Sequence, residues 1–331
     1  MLFLPQVDYR NRIALAKRKC YNTFVMGSIF TLSIIQTALE LGGIYSLVAL
    51  ALFISFSILN IADLSTDGCF TLGCAVCASV TLMGHPILGL FAAMGAGVCS
   101  GFVTAFLQTR LGIESILAGI VVNTGLYTIN IAVMGFASNM NLFNCETIFS
   151  MAKEGIGGSW YKLIVVLLIV AVVGVILTMF LGTRLGLSIR ATGNNDAMVR
   201  ASSINPGNMI TVGLCVSSSL TALSGAVLAQ YQKSCDINLG TGMVTIALAS
   251  LIIGETLIGK GSMLRRIVGV VLGSCLYRLI VAIALRLSLP AEALKLVSAI
   301  IVAVALAIPY LKTRIAFQRQ KALAKAENER N

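Results

Sequence analysis

Residues 182–206 read GTRLGLSIRATGNNDAMVRASSINP, the longest polar interruption between two halves of an otherwise membrane-like chain. Arg184, Arg190 and Arg200 stand against one acid, Asp196, so the excess of basic residues in cytoplasmic loops assigns this stretch to the inner side. Its centre reads as one short helix of about three turns. Asn194 or Asn195 can cap its start, Ala197, Met198, Ala201 and Ile204 form an apolar stripe, and Pro206 lies just past its end. A helix this short spans nothing and its stripe is too small for a core, so it needs a surface to dock on. The competing reading is an ordinary charged connecting loop.

Outward from that stretch the composition is that of a membrane protein. Hydrophobic residues make up 57% and charged residues 11%, with a mean hydropathy of +0.93, far more apolar sequence than a soluble domain buries. The formal net charge of +11 does not point to nucleic acid. The basic residues sit in tails and short loops, without the interleaved aromatics of a binding stripe. The C-terminal tail can also touch anionic lipid.

Residues 1–23 form a basic tail containing Arg10, Arg12, Lys17, Arg18 and Lys19. It has the look of a signal n-region, but hydrophobic sequence runs on to Asn60 with no cleavage site, so a retained cytoplasmic tail is expected. The apolar run from Phe24 to Asn60 exceeds one ordinary span of about 20 residues. Glu40, Gly42 and Gly43 divide it into crossings near 24–39 and 42–60, unless the pair is one tilted helix behind a surface segment. Further crossings follow near 69–84, 87–109, 115–136, 162–182, 208–231, 243–259, 267–286 and 294–311. A second basic tail covers 312–331. The expected fold is an all-α polytopic helical bundle of about 8–10 membrane helices, both termini cytoplasmic. The proposed inner segments hold 18 of the 24 Lys and Arg, which supports that orientation.

Two segments read as broken membrane helices or as surface loops: Asn60 to Gly68, NIADLSTDG, and Gln230 to Gly242, QYQKSCDINLGTG. Unwound backbone survives in a bilayer only where protein or a water-filled cavity covers it. Charged side chains within spans are similarly costly, roughly 2.5 to 3.5 kcal/mol at the centre of a helix. Glu255 and Arg278 can pair with each other, or can line a solute path with Asn123, Asn130 and Gln230. Asp63, Asp67, Asn123 and Gln230 are the leading path candidates.

Other patterns carry less. Gly254 to Gly261 is one residue short of a phosphate-binding loop, with Gly261 where a magnesium-holding Ser or Thr belongs. Cys69, Cys74 and Cys77 have an iron-sulfur spacing but lie in an apolar Gly/Ala-rich run, where Cys packs as a small residue. Cys145 and Cys235, both placed outside, could meet. His85 sits in a turn, and no metal site or catalytic constellation emerges, so the chain is not expected to be an enzyme.

The segment IRATGNNDAMVRASSIN resembles the cytoplasmic coupling segment of permease subunits in the branched-chain amino acid and ribose family of ABC importers. The resemblance continues through LELGGIYSLVALALFISFSILNIADLSTDGCFTLGCAV, in which Leu64-Ser-Thr-Asp67-Gly68 stands in place of a Leu-Thr-Val-Asp-Gly-like motif. It resumes at ILAGIVVNTGLYTINIAVMG, ALSGAVLAQYQKSCDINLGTG, LASLIIGETL and LYRLIVAIALRL, covering roughly 38–311. The nearest branch is that of permeases linked with tryptophan or tyrosine uptake. The chain departs from the pattern in its first 24 or so residues and at Ser203, where the family usually has Gly or another small residue. The resemblance implies a multi-pass cell-membrane permease, a coupling loop at 183–206 and a path for an aromatic amino acid delivered by a substrate-binding protein. It also implies a second permease chain, a likeness to homodimers, and separate ATPase subunits carrying ATP and Mg, with no cofactor on this chain. The coupling residues it implies are Arg190, Gly193, Asn194, Asn195, Ala197, Met198, Arg200, Ala201 and Ile204. A self-contained ion-coupled transporter or channel using Asp63, Asp67 or Glu255 is the alternative, and a membrane scaffold without transport is a second one.

Overall fold

Leu32 to Ile58 is one helical rod of 27 residues, about 40 Å long at 1.5 Å per residue. Its α-helical part, α1 (Leu32–Leu52), continues into a π-helical turn, Phe53–Ile58. The two crossings expected near 24–39 and 42–60 are therefore a single helix from Leu32 onward. Glu40 does not break it, because the carboxylate is only 3% exposed and accepts hydrogen bonds from Gln36 (2.9 Å) and Tyr231 (2.7 Å). Gly42 and Gly43 serve packing instead: a Cβ on either would lie within 2.8 Å of Cys275 or Val166. Small residues in a membrane helix admit neighbours as readily as they end the helix.

The computed structural model describes residues 32–286, except 159 and 260, with isolated positions between 296 and 307. The two basic tails, residues 24–31 and the crossing expected at 294–311 lie outside the described residues or largely so. After α1 come α2 (Thr66–Leu82), α3 (Pro86–Thr109), α4 (Ser115–Val133), the short strand β1 (Asn139–Asn141) and α5 (Ile148–Ile156). Then follow α6 (Tyr161–Gly182), α7 (Arg184–Asn194), α8 (Asp196–Ala201), α9 (Pro206–Gln232), β2 (Ser234–Asp236), α10 (Met243–Ile258) and α11 (Met263–Arg286). Among the described residues six helices are long and apolar enough to cross a membrane, and α2 and α10 are shorter apolar helices. The chain is a polytopic all-α membrane protein.

Two ends of the bundle are defined by contacts. At one, Gly193 abuts the Ile58 carbonyl, Gly207 approaches Thr109, and Ser57 bonds Glu255. At the other, β1 pairs antiparallel with β2, Asn139 opposite Asp236, and Gln230 bonds both Pro86 and Ile148. From residue 42 to residue 206 the expected alternation of ends is the one observed.

The buried axis is α9 beside α1. A hydroxyl buried without an acceptor is costly, and Ser217 and Ser224 of α9 donate across to the carbonyls of Ala51 (2.8 Å) and Ile44 (2.7 Å) of α1. α2 crosses α9 at backbone distance: a Cβ on Gly73 would come within 2.0 Å of the Ala222 carbonyl oxygen. α6 is the opposite case, apolar all round, with Leu167, Leu168, Ile176 and Met179 exposed, as a lipid-facing helix is.

Candidate functional site

Both interrupted segments are real breaks, and they meet. The first follows the π turn. Asn60 takes a left-handed φ of 58°, which Asn tolerates better than most residues. The Asp63 carboxylate then folds back on Ser65, accepting its N–H (2.9 Å) and its hydroxyl (2.6 Å), and α2 begins at Thr66. These groups are buried between α3 and α4: Thr104 reaches the Ser65 hydroxyl at 3.4 Å, and Gly119 packs on Leu64.

The second break starts at Lys233, which ends α9 with a φ of 55°. From β2 the chain turns through Asp236, whose carboxylate accepts the Asn238 N–H (2.8 Å), and descends to α2. There the Gly240 N–H donates to the Thr71 hydroxyl (3.1 Å), and the N–H groups of Gly242 and Val244 each donate to one Asp67 oxygen (both 2.9 Å). Gly240 has to lack a side chain, since a Cβ would sit 2.0 Å from the Asp67 carbonyl oxygen. Asp67, in the first turn of α2, thus caps the start of α10, where unpaired amides and the positive end of the helix dipole favour a carboxylate.

Beside this junction lies a cavity of about 440 Å3. α2 contributes Asp67, Gly68 and Thr71, the second break contributes Ile237, Asn238, Gly240 and Thr241, and α4 contributes Asn123, Thr124, Tyr127, Thr128 and Asn130. Asn123 and Asn130 lie about 12 and 22 Å along α4, a helix of about 27 Å, so the cavity runs from the middle of that helix toward the β-hairpin end. Thr124, Tyr127 and Thr128 are exposed. Asn130 is 1% exposed, and its Nδ2 donates to the Gly68 carbonyl at 3.1 Å. Its Oδ1 has no partner.

The remaining expected path residues lie elsewhere. Asp63 is taken up by the turn before α2. Gln230 ties three segments at the β-hairpin end, donating to the Pro86 carbonyl (2.8 Å) and accepting the Ile148 N–H (3.0 Å). Glu255 does not pair with Arg278: its partners are Arg266 and Ser57. Because α10 and α11 run antiparallel from a short turn, Glu255 near the end of α10 meets Arg266 in the first turn of α11. Arg278 lies about 18 Å further along. Its guanidinium stacks on the Tyr45 ring, 3.5 Å from the centroid, and with Ser33 and Thr37 it borders a separate cavity of about 430 Å3.

The polar stretch after α6 is two helices rather than one. Thr183 caps α7 by accepting the Gly186 N–H (3.2 Å), and Asn195, not Asn194, caps α8 by accepting the Met198 N–H (3.1 Å). α8 is six residues long, under two turns. Gly193 faces inward, its Cα against the Ile58 carbonyl, and Arg190 and Asn194 border a polar hollow with Ser57 and Arg266. Val199, absent from the expected stripe, anchors α8 at 3% exposure, while Ala197, Met198 and Ala201 face outward and Ile204 is half-buried. Arg200 pairs with Asp196 one turn away (3.0 Å).

Comparison with known proteins decides the family. The sequence profile described as branched-chain amino acid transport system, permease component, matches residues 34–308. The chain belongs to this family of ABC-transporter permeases. The permease is 33% identical over 260 residues to a tyrosine transport system permease protein of Clostridioides difficile, covering 78% of this chain and 85% of the relative. It is 30% identical over 281 residues to an uncharacterised protein of Rickettsia prowazekii, covering 83% and 97%. The ribose import permease protein RbsC of Escherichia coli K12 is 28% identical over 226 residues, covering 64% and 65%. No solved structure shows a significant match. In this permease the departure at Ser203 has a physical reading, since its φ of 61° lies in the left-handed region where glycine is unstrained.

Sequence reasoning missed Thr71, Tyr127, Thr128, Asn238 and Gly240. One signal for the α4 members was available: Asn123, Thr124, Tyr127, Thr128 and Asn130 form a polar stripe at helical spacing within an otherwise apolar span.

Proposed function

We propose that this permease forms the membrane path of an ATP-driven importer for an amino acid, with an aromatic amino acid favoured by its resemblance to the tyrosine permease. The observation that carries this reading is the cavity within the bundle where two helix breaks and the polar face of α4 converge. The hydroxyls of Thr124, Tyr127 and Thr128, exposed on a membrane helix, are costly against lipid and tolerated beside a water-filled path or a second chain. Two permease chains facing each other through α4 would enclose such a path, and a symmetric pair is the simplest arrangement for one kind of chain.

ATP and Mg belong, on this reading, to separate ATPase subunits that dock on residues 183–206. The outward Ala197, Met198 and Ala201 supply the contact, with Arg190 and Arg200 flanking it. Arg110, Arg184, Arg190, Arg200, Arg265 and Arg266 share that end of the bundle, which supports a cytoplasmic assignment. A substrate-binding protein would then deliver its solute at the opposite end, on the surface formed by α5 and the β-hairpin. Closing of the ATPases on ATP would rock the docked segments and expose the cavity to alternate sides.

Purification of the full chain in mild detergent, with identification of co-eluting subunits, tests this directly. The expected result is an ATPase subunit in stoichiometric amount. Solute uptake by the purified chain alone in vesicles, driven by a proton or sodium gradient, would instead make it a secondary transporter.

A further inference from the structure

The cavity's own chemistry selects among the solutes that such permeases carry, and the selection rests on the path reading above. Of the described residues lining it, Asp67 is the only Asp, Glu, Lys, Arg or His. Its carboxylate is held in place by the Gly242 and Val244 N–H groups, one to each oxygen. Each oxygen keeps a further lone pair.

Asn130 adds a second, independent demand. An amide side chain can be turned about its axis, but the Gly68 carbonyl only accepts hydrogen bonds, so the NH2 group must face it. That fixes Oδ1 as an acceptor, buried and without a donor. Buried polar atoms are almost always paired, and one left unpaired in a cavity wall calls for a donor from whatever fills the cavity. Both groups therefore ask for hydrogen-bond donors, and of the two the carboxylate favours a donor that carries positive charge. A primary ammonium has three donors, a full charge and no acceptor. A sugar brings hydroxyls but no charge, and a carboxylate end is repelled.

We propose that Asp67 and Asn130 are specificity-determining residues that recognise the primary ammonium group of the solute. The ammonium end enters this cavity, and the rest of the solute lies along Tyr127 and the hydroxyls of Thr124 and Thr128.

The test uses the full-length chain in lipid nanodiscs and four probes, with binding read from ligand-dependent thermal stabilisation. The probes are L-tyrosine, tyramine (ammonium without carboxylate), 3-(4-hydroxyphenyl)propionate (carboxylate without ammonium) and sodium chloride against choline chloride. L-tyrosine and tyramine are expected to stabilise the chain. The propionate and sodium are expected to do nothing. Asn130→Leu and Asp67→Asn should each weaken tyramine binding by about tenfold or more, the scale of a lost hydrogen bond to a charged group. Binding of the propionate as tight as that of tyramine, tyramine binding unchanged in Asn130→Leu, stabilisation by sodium alone, or no stabilisation by either amine would each overturn the proposal. The wild-type probe series decides it even where a variant fails to fold. Uptake by cells carrying the assembled importer separates the two readings. If Asn130→Leu lowers uptake while des-amino and amino solutes compete equally, the path stands and the ammonium assignment falls. If it leaves uptake unchanged, the path itself is elsewhere.

Discussion

At the scale of single residues, Asp67 has two separable tasks. It caps α10 through the Gly242 and Val244 amides and it faces the cavity. Asp67→Ala should cost about 1–2 kcal/mol through the lost cap, visible as a lower midpoint of thermal unfolding, whereas Asp67→Asn keeps one acceptor and should lose less. Ser203 offers the reverse case. With φ at 61°, Ser203→Gly removes left-handed strain and should raise stability by about 0.5–1 kcal/mol. A drop in the unfolding midpoint would show that the Ser203 side chain matters more than its backbone. Asp67, Asn123 and Asn130 could be picked out in the sequence because polar groups in apolar spans demand partners. Gln230 and Asp63 drew attention for the same reason, yet Gln230 ties the Pro86 carbonyl to the Ile148 N–H and Asp63 is taken up by Ser65 in the turn before α2. Sequence alone does not distinguish a polar group that faces a cavity from one that caps a turn, because both satisfy the same hydrogen-bonding requirement.

At the scale of elements, close packing of α2 on α9 sets the geometry of the first break. Gly73→Ala drives a methyl into the Ala222 carbonyl, whereas a methyl added at Gly95 of α3 would meet nothing within 4 Å. Overpacking costs about 1–3 kcal/mol or more, so Gly73→Ala should sharply lower the yield of folded protein, and Gly95→Ala should match the unaltered chain. The Glu255–Arg266 pair is another joint, linking α10, α11 and, through Ser57, the π turn. Both side chains are largely buried, 22% and 17% exposed, and removing one partner strands the other. Arg266→Met is expected to destabilise by about 3 kcal/mol, and the double change Glu255→Gln with Arg266→Met should recover part of that loss in a double-mutant cycle. The helices themselves were plain in the hydropathy of the chain, but Glu40 misled. A buried carboxylate looks like a helix boundary until Tyr231, nearly two hundred positions away, is seen to satisfy it. Likewise Asn194 and Asn195 are equally good caps by type, and only the Met198 N–H chooses between them.

At the scale of the whole molecule, the two ends are linked by one short rod. α10 is held at its start by Asp67 in the cavity and near its other end by the Glu255 joint. That joint lies beside the hollow bordered by Arg190 and Asn194 of α7, next to the segment on which the partner ATPase is proposed to pull. The orientation of the bundle ties this arrangement to its function, and it turns on the side of the membrane that α8 faces. Met198, 68% exposed, marks that surface without supporting the fold. The most direct measurement is labelling of Met198→Cys in intact cells by a membrane-impermeant maleimide, before and after permeabilisation, compared with the unaltered chain. Labelling that appears only after permeabilisation and is blocked when the ATPase subunit is bound is the predicted result. Labelling of intact cells from outside, with no protection by any nucleotide-driven subunit, would contradict it.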